Sequence, residues 1–591
     1  MLKTGVAFGD YIFKGSRRRR NLSYEDEGHS NRNYFLVFSA VFLFAVLFFR
    51  LFFLQIIQGY YYRYLSDSNR TKTVIIHAPR GIILDRNGVP LVYNLPGFRE
   101  NVNGKTIQIP EGQALGLIAA GKNVLEIDSL RSYPYKDAFA HVLGYVGQIS
   151  QDELSDPLYS DYSPGDIIGK SGIEQQYEPM LRGVDGKQLF EVDARGNLTR
   201  KLGQQDPIAG ENITLTLDTK LQEAVFAAMS GVKKGAAIVS TPKGEILALV
   251  SKPSFDPNLF TMGEGYKTAS NSAYLTLSDV LMDGQNQPLL NRSIGGTYPP
   301  GSTFKLIVAS AALKNNIIDE NWQVDDTGIL RVGDFSFSNW YYTDYGGTDG
   351  EVNIVKGIKR SNDIFFYKLA EKVGVDKVSE TAKLFGLGEK LGIDLQGEQP
   401  GLVPTQEWKQ AVIGEPWYLG DTYHYGIGQG FLLTTPLQIN GWTQAIANDG
   451  TLYRPHLLKD LGPQIINTNL LDAHASDLIK EGMVEACSPG GVAWPLFNYQ
   501  IKNAKLPIDG KNILGLDPAS GSADMRRVVL ACKTGTAENG GNNTLAHAWI
   551  TLFAPAYNPQ IVITVLSENS GEGSNVAGPI AKQILDSWFG R

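Results

Sequence analysis

The most strongly patterned stretch of the chain is an apolar run at residues 34–57, in which Arg50 is the only charged side chain. At about 1.5 Å per residue, a helix of this length spans about 36 Å, which is enough to cross a bilayer. Arginines occupy residues 17–20 just before it, so we expect the N-terminus to stay in the cytoplasm and the bulk of the chain to lie outside. A cleaved signal peptide is the alternative, but the run is too long and no small-residue cleavage site follows it.

The long remainder of the chain alternates between short strand-like runs and helical patterns. Four apolar or alternating runs predict strands, at residues 236–240, 246–251, 549–554 and 561–567. An apolar-periodic segment near the C-terminus, at about 576–588, predicts a last helix. We therefore predict an α+β fold in which a central antiparallel sheet combines strands from both ends of the domain, with helices packed on its faces.

The most informative polar residues are Ser302 and Lys305, which follow a Pro-Pro-Gly turn at the start of a predicted helix. Residues three apart share one helix face, and the residues that follow are apolar nearly all round, so we expect this helix to be buried. Burial lowers the pKa of a lysine, which can then accept a proton, and the start of a helix favours negative charge on the serine. This pattern predicts an activated serine nucleophile that needs no histidine.

Two later motifs strengthen this interpretation. A Ser-x-Asp motif begins at Ser361 and opens an apolar aromatic run, and a Lys-Thr-Gly motif begins at Lys533 directly after a strand-like run. Looser Lys-x-Gly matches at Lys201, Lys372 and Lys390 do not follow such runs. In this order, the three motifs resemble the active-site triplet of penicillin-binding proteins and serine β-lactamases.

Segments nearer the N-terminus narrow the resemblance. Residues 77–88, 141–147 and 169–174 are similar to boxes that class B penicillin-binding proteins carry outside the membrane, and that β-lactamases and small carboxypeptidases lack. We expect these boxes to have a structural role in a pedestal. Asp363 stands where the commonest family pattern has Asn, which resembles the elongation-type members. The chain is thus identified as a member of the elongation-type class B penicillin-binding proteins.

The resemblance implies a fold and a domain order. The fold would be α+β, with a single N-terminal transmembrane helix, an elongated β-rich pedestal and a β-lactamase-like transpeptidase domain. The implied divisions are a cytoplasmic tail at 1–33, an anchor at 34–57, a pedestal at 58–212 and a transpeptidase domain at 213–591.

The same resemblance implies a serine-type D-Ala-D-Ala transpeptidase that cross-links peptidoglycan during cell-wall elongation and is a target of β-lactams. Ser302 would be the nucleophile and Lys305 the general base. Ser361 would pass a proton to the leaving amine, Asp363 would be the orienting carboxylate, and Lys533 would bind the substrate carboxylate. The residues implied in substrate binding are Thr534, Gly535 and Thr536, with Gly535 leaving room for a peptide along an edge strand. Simpler alternatives are helix capping for Ser302 and Ser361 and a strand-end charge for Lys533.

Composition adds few further constraints. The net charge of −7 over 591 residues gives no reason to expect nucleic-acid binding. Cys487 and Cys532 are too few for a disulfide framework, and we interpret Cys532 as a small buried strand residue rather than half of a bridge. Some elongation-type relatives hold zinc with a cysteine just before the Ser-x-Asp motif, where this chain has Ile358, Lys359 and Arg360. We therefore predict no metal and no cofactor.

The resemblance also implies partners. These are peptidoglycan stem peptides on lipid-linked glycan strands, a SEDS-type glycan polymerase of the RodA class, an MreC-like elongation scaffold, and β-lactam inhibitors. The location would be the bacterial inner membrane, with one span and an external catalytic domain. Three rivals stay open: a division-type transpeptidase, a β-lactam receptor that signals, and a scaffold without turnover.

Overall fold

The computed structural model describes residues 31–102, 105–120, 126–193, 195, 198–263, 266–269, 272–501, 526–538, 540 and 544–590. The arginine run at 17–20 lies outside these described residues. The chain divides into two compact units, one comprising residues up to Val74 together with Gln188–Gln204, the other comprising Ile75–Lys187 and Gln205–Arg591.

In the described residues, the α-helices are α1 (Asn31–Phe52), α2 (Gly59–Arg70), α3 (Glu111–Ala119), α4 (Ala140–Leu143), α5 (Gly172–Gln176), α6 (Glu178–Leu181), α7 (Thr219–Ala228), α8 (Leu277–Met282), α9 (Lys305–Lys314), α10 (Trp340–Tyr345), α11 (Ile354–Arg360), α12 (Asp363–Val373), α13 (Val375–Leu384), α14 (Gln406–Val412), α15 (Leu419–Gly426), α16 (Pro436–Ala447), α17 (Ala473–Ala486) and α18 (Ala577–Phe589).

The strands are β1 (Thr71–Ile76), β2 (Ile83–Leu84), β3 (Pro90–Val102), β4 (Lys105–Pro110), β5 (Glu126–Ser132), β6 (Val146–Gln148), β7 (Ile167–Gly169), β8 (Gly186–Val192), β9 (Leu198–Gln205), β10 (Ile213–Thr214), β11 (Gly235–Ser240), β12 (Ile246–Lys252), β13 (Val324–Asp326), β14 (Ile329–Val332), β15 (Phe335–Ser338), β16 (Gly350–Val352), β17 (Leu452–Tyr453), β18 (Ile465–Asn467), β19 (Gln500–Ile501), β20 (Arg526–Arg527), β21 (Ala531–Ala537), β22 (His547–Ala554) and β23 (Ile561–Ser567).

The first unit is dominated by the apolar N-terminal helix. Helix α1 continues through a π-helical turn at Phe53–Ile57, and no side chain of the apolar run is buried. Over Asn31–Ile57 the helix is long and apolar enough to cross a membrane, and none of its most apolar stretch is buried within the protein. The prediction of an N-terminal apolar helix long enough to span a membrane is confirmed, and its crossing of a membrane stays a prediction.

The N-terminal part of the second unit contains a network of buried, paired charges. Glu174 is fully buried, and its two oxygens accept hydrogen bonds from Arg80 Nη2 at 2.9 Å and from Arg131 Nε at 2.6 Å. Arg80 also donates to Glu178 Oε2 at 2.7 Å. Burial raises the pKa of Glu174, but the two arginines more than offset this and hold it below its usual value. Residues from separate sequence boxes thus meet in one ion-pair network, which fits the structural role that the sequence predicted.

From Gly235 onwards the chain forms a domain built on a five-stranded antiparallel sheet with the order β12-β11-β23-β22-β21. Its strands come from both ends of the domain, so the predicted α+β fold with a combined central sheet is confirmed. Alternate residues face opposite sides: Ile238 and Trp549 belong to the core cluster that includes helices α9 and α16, whereas Val239 and Ile550 belong to the cluster that includes α7 and α18. Both faces are therefore covered by helices, and β21 lies at the edge.

One sequence interpretation is wrong. Cys532 is a buried strand residue, as predicted, but it is also disulfide-bonded to Cys487, with a Cα–Cα distance of 5.8 Å. Cys487 follows the last residue of helix α17, and Cys532 lies in β21. The bond therefore joins a helix that packs on α9 and α11 to the strand that carries the Lys-Thr-Gly motif.

Candidate active site

The predicted nucleophile lies in a tight turn. Ser302 belongs to a 3-10 turn, Gly301–Phe304, and the α-helix itself begins only at Lys305. Residues i and i+3 of a 3-10 turn are eclipsed, so Ser302 and Lys305 still share a face. Ser302 is partly exposed, whereas residues 305–313 of α9 are all buried, as the sequence predicted. Neither cap position uses the Ser302 side chain, so the capping alternative is wrong.

Lys305 makes its contacts with the Ser-x-Asp segment. Its Nζ donates to Asp363 Oδ1 at 2.6 Å, to the Ser361 carbonyl oxygen at 2.7 Å and to Ser361 Oγ at 3.3 Å. Among the described residues, the Lys305 amine makes these three hydrogen bonds, and none of them goes to the Ser302 hydroxyl. The side chain is fully buried. Burial lowers the pKa of Lys305, and the Asp363 carboxylate opposes part of that shift.

Ser361 lies in the loop between α11 and α12 with a positive φ of 52°, in the left-handed region. This conformation is uncommon for a residue with a side chain. The side chain of Asn362, not that of Ser361, caps α12 by accepting a hydrogen bond from the Phe365 N–H at 2.8 Å. The capping alternative for Ser361 is therefore wrong, and its hydroxyl is left for other contacts.

Lys533 contacts the Ser361 hydroxyl, as Lys305 does. Its Nζ donates to Ser361 Oγ at 2.8 Å and to the Thr534 carbonyl oxygen at 3.0 Å. It lies within β21 and is fully buried, so the interpretation as a strand-end charge is wrong. Burial lowers the pKa of Lys533 well below its usual value, and the nearby positive charge of Lys305 lowers it further. Two buried amines with one carboxylate, that of Asp363, favour a site in which one amine is neutral.

The edge strand β21 lies directly against the turn Gly301–Phe304, which we call the nucleophile turn after the role predicted for Ser302. A Cβ on Gly535 would lie 3.0 Å from the Pro300 carbonyl oxygen and 3.0 Å from Thr303 Cγ2. The missing side chain therefore makes room for the nucleophile turn, a reason that the sequence analysis did not foresee. Thr534 is buried and Thr536 is exposed at the same edge. Substrate binding along these residues stays a prediction.

Several residues that position the site were not among the sequence candidates. The Gly301 N–H donates to the Gly428 carbonyl oxygen at 2.9 Å, and a Cβ on Gly428 would lie 2.1 Å from the Gly301 carbonyl oxygen. The Trp340 N–H donates to Asp363 Oδ2 at 3.0 Å. A glycine-rich segment at 426–430 was a visible signal for Gly428, whereas nothing local in the sequence marks Trp340.

Among the residues that the structure describes, no group of three or more His, Cys, Asp or Glu side chains is arranged to hold a metal ion. Arg360, at the position before the Ser-x-Asp motif, donates through Nε to Asp349 Oδ1 at 2.9 Å.

Two protein-family models match this chain. The family model for the penicillin-binding protein transpeptidase domain matches residues 235–586, and that for the penicillin-binding protein dimerisation domain matches 123–215. The peptidoglycan D,D-transpeptidase MrdA of Acinetobacter baumannii is 33% identical, over 96% of this chain and 89% of its own length.

Solved structures show the same similarity. The complex of penicillin-binding protein PBP2 with MreC from Helicobacter pylori contains a chain that is 28% identical, with a TM-score of 0.70, over 88% of this chain and 98% of that chain. A structure described as the coordination of polymerization and crosslinking by a peptidoglycan synthase complex contains a chain that is 28% identical, with a TM-score of 0.68, over 95% of this chain and 99% of that chain.

Proposed function

Because this chain belongs to the family of penicillin-binding protein transpeptidases, we propose that it cross-links peptidoglycan stem peptides through an acyl intermediate on Ser302. It is a peptidoglycan D,D-transpeptidase of the elongation type, as the resemblance of its motifs predicted. The observation that carries the assignment of residues is the meeting of the Lys305 and Lys533 amines at the Ser361 hydroxyl.

Acylation begins with the removal of the Ser302 proton. A neutral Lys305 amine accepts this proton while Ser302 Oγ forms a bond to the carbonyl carbon of the penultimate D-alanine. Burial of Lys305 supports this role because it disfavours the ammonium form before the reaction. The backbone N–H groups of Ser302 and Thr536 stabilise the oxyanion, by analogy with the family.

The leaving group then needs a proton. The bond from the carbonyl carbon to the nitrogen of the terminal D-alanine breaks, and Ser361 donates its hydroxyl proton to that nitrogen. Ser361 regains a proton from a lysine, since both amines lie within hydrogen-bond reach of its oxygen. The amine of a second stem peptide attacks the acyl-enzyme, and the same groups carry the protons in reverse.

Lys533, Thr534 and Thr536 bind the terminal carboxylate of the donor peptide. Lys533 acts mainly through its charge, because its Nζ is buried behind Ser361. The exposed Thr536 hydroxyl is the group that contacts the carboxylate directly. Asp363 orients Lys305, with which it makes the shortest of the amine's three hydrogen bonds.

The domain order and location complete the proposal. The tail 1–33 lies in the cytoplasm, 34–57 spans the bacterial inner membrane, and the pedestal 58–212 and transpeptidase domain 213–591 lie outside. A RodA-like SEDS polymerase and an MreC-like scaffold are the proposed partners. The complex of PBP2 with MreC supports the scaffold, and the peptidoglycan synthase complex supports a polymerase. Protease added to intact spheroplasts should remove the catalytic domain; protection of that domain would reverse the orientation.

The residue assignment is tested with a fluorescent penicillin followed by peptide mapping. The adduct is expected on Ser302 and should be lost in Ser302→Ala. Ser310→Ala is the matched control, because Ser310 lies on the same buried helix and donates only to the Leu306 carbonyl oxygen. An adduct on another serine, or one that survives in Ser302→Ala, would contradict the assignment.

Turnover is tested separately. The purified enzyme and a partner polymerase should convert lipid-linked precursor into cross-linked product, and Ser302→Ala should make only uncross-linked strands. Adduct formation without cross-linking would favour the scaffold or receptor alternative. Placement of a tagged protein at the septum would favour the division-type alternative.

A further inference from the structure

A buried polar cluster lies beneath the Ser361 loop and takes no direct part in the reaction described above. We call it the Asp326 cluster; it consists of Asp326, Asn339, Asp349 and Asn362. Asp326 is 2% exposed, and Asn339 and Asn362 are fully buried. Asp326 is the last residue of β13, which pairs with β16 so that Asp326 lies opposite Gly350.

The Asp326 carboxylate accepts hydrogen bonds from four N–H groups. Its Oδ1 accepts from the Gly328 N–H at 2.9 Å. Its Oδ2 accepts from Asn339 Nδ2 and Asn362 Nδ2, each at 2.8 Å, and from the Asp349 N–H at 2.9 Å. An ionised carboxylate offers only acceptors, which suits four donors.

Backbone groups determine which way the two asparagine amides point. Asn362 Oδ1 accepts from the Phe365 N–H at 2.8 Å, and Asn339 Oδ1 accepts from the Asp363 N–H at 3.1 Å. Because each oxygen is taken by a backbone donor, each NH₂ group must face Asp326. A carboxylate at that position is the partner that both NH₂ groups require.

We infer that Asp326 is a positioning residue for the transpeptidase reaction, acting on Ser361 and Asp363 through Asn362 and Asn339. The Asn362 side chain holds the start of α12, and Asn339 holds the Asp363 N–H. Ser361 lies immediately before Asn362 and Asp363 in the chain, and it has a left-handed conformation that its surroundings must maintain. Asp326 thereby keeps Ser361 Oγ and Asp363 Oδ1 at hydrogen-bond distance from Lys305. The inference rests on the roles proposed above for Ser361, Asp363 and Lys305.

Asp326→Asn tests this with almost no change in shape. The amide supplies only one oxygen, so at least one of the four donors loses its acceptor. We expect the acylation rate constant of a fluorescent penicillin at saturation to fall by about tenfold or more, because small displacements of reacting groups have large effects on rate. The dissociation constant of the initial complex should be unchanged, since Thr534 and Thr536 are untouched.

Two matched variants calibrate the result. Asp325→Asn removes the same charge from the adjacent exposed residue and should leave the rate within about twofold of wild type. Asp349→Asn acts on the same cluster from the other side, because Asp349 Oδ2 accepts from Asn362 Nδ2 at 3.0 Å. It should give an intermediate loss and serves as the test variant if circular dichroism shows Asp326→Asn to be unfolded.

The inference is overturned if the folded test variant acylates as fast as Asp325→Asn, or if it loses only affinity for the penicillin. In either case wild type and Asp325→Asn would still form the adduct on Ser302, so the proposed function would stand. Absence of the adduct in wild type would instead remove the proposed function itself. A lower melting temperature with an unchanged saturated rate would show that Asp326 only stabilises the fold.

Discussion

The contact between Asp363 and Lys305 leads to a prediction about the pH dependence of acylation. Lys305 Nζ lies 2.6 Å from Asp363 Oδ1, and the negative charge favours the ammonium form of the lysine. Burial has the larger effect, in the opposite direction, and lowers the pKa. Asp363→Asn removes the charge but keeps the shape, so we expect the pKa of Lys305 to fall further.

The size of the effect follows from the distance. At an effective dielectric constant of about 20, two unit charges at the 2.6 Å separation attract each other by about 6 kcal/mol, which is a ceiling. The asparagine oxygen can still accept the N–H of Lys305, and an opposite charge at such a distance typically changes a pKa by about one to three units. Acylation needs the neutral amine, so its acid limb should move to lower pH by about one to three pH units.

The assay is the saturated rate of acylation by a fluorescent penicillin, measured from about pH 5 to about pH 10. Asp344→Asn is the control, since Asp344 is an exposed acid on α10 in the segment that also contacts Asp363 through Trp340. An acid limb that stays where it is in wild type, within about half a pH unit, would show that the titrating base is not Lys305.

Three further predictions concern stability and close packing. Replacing Cys487 and Cys532 together by serine should lower the free energy of unfolding by about 4 kcal/mol on the chain-entropy estimate for a sequence separation of 45, measured in urea; a reductant should have the same effect on wild type and none on the double variant. Glu174→Gln should lower the free energy of unfolding by about 3–5 kcal/mol, because it leaves a buried arginine charge uncompensated. The control Glu153→Gln breaks the more exposed pair with Lys170 and should lower it by less than about 1 kcal/mol. Equal melting temperatures of the two variants would contradict this prediction. Gly428→Ala should slow acylation about a hundredfold, because its Cβ would lie 2.1 Å from the Gly301 carbonyl oxygen; Gly430→Ala has the same φ of +76° without that clash and should retain most of the rate.

Local pattern was enough to predict the elements that carry the site. The central strands and the buried helix after Ser302 follow from apolar periodicity, which reflects burial on one or both faces. Ser302, Lys305, Ser361 and Lys533 were predicted because their three motifs, in this order, resemble those of the family. The edge position of β21 was an expectation from the resemblance of its Lys-Thr-Gly motif, and the strand order confirms it.

Contacts between segments that are far apart in the chain could not be predicted from the sequence. The Cys487–Cys532 bond depends on a helix end approaching β21, and no local pattern encodes that approach. The left-handed conformation of Ser361 is uncommon for a residue with a side chain, and the side chains that contact it, those of Lys305 and Lys533, come from remote parts of the chain. The packing of Gly535 against Pro300 was missed for the same reason, as a glycine in a strand is compatible with several kinds of close neighbour.

These close approaches bear on the role proposed for Lys305 as the base. Gly535 and Gly428 let β21 and the glycine-rich segment contact the nucleophile turn, which leaves the two amines buried around Ser361. Because a buried site with two amines and one carboxylate disfavours a second ammonium, tight packing favours a neutral lysine, which the proposed role of Lys305 as the base requires. A change that loosens this packing should therefore raise the pKa of the catalytic lysine and slow acylation at neutral pH, even where the fold remains intact.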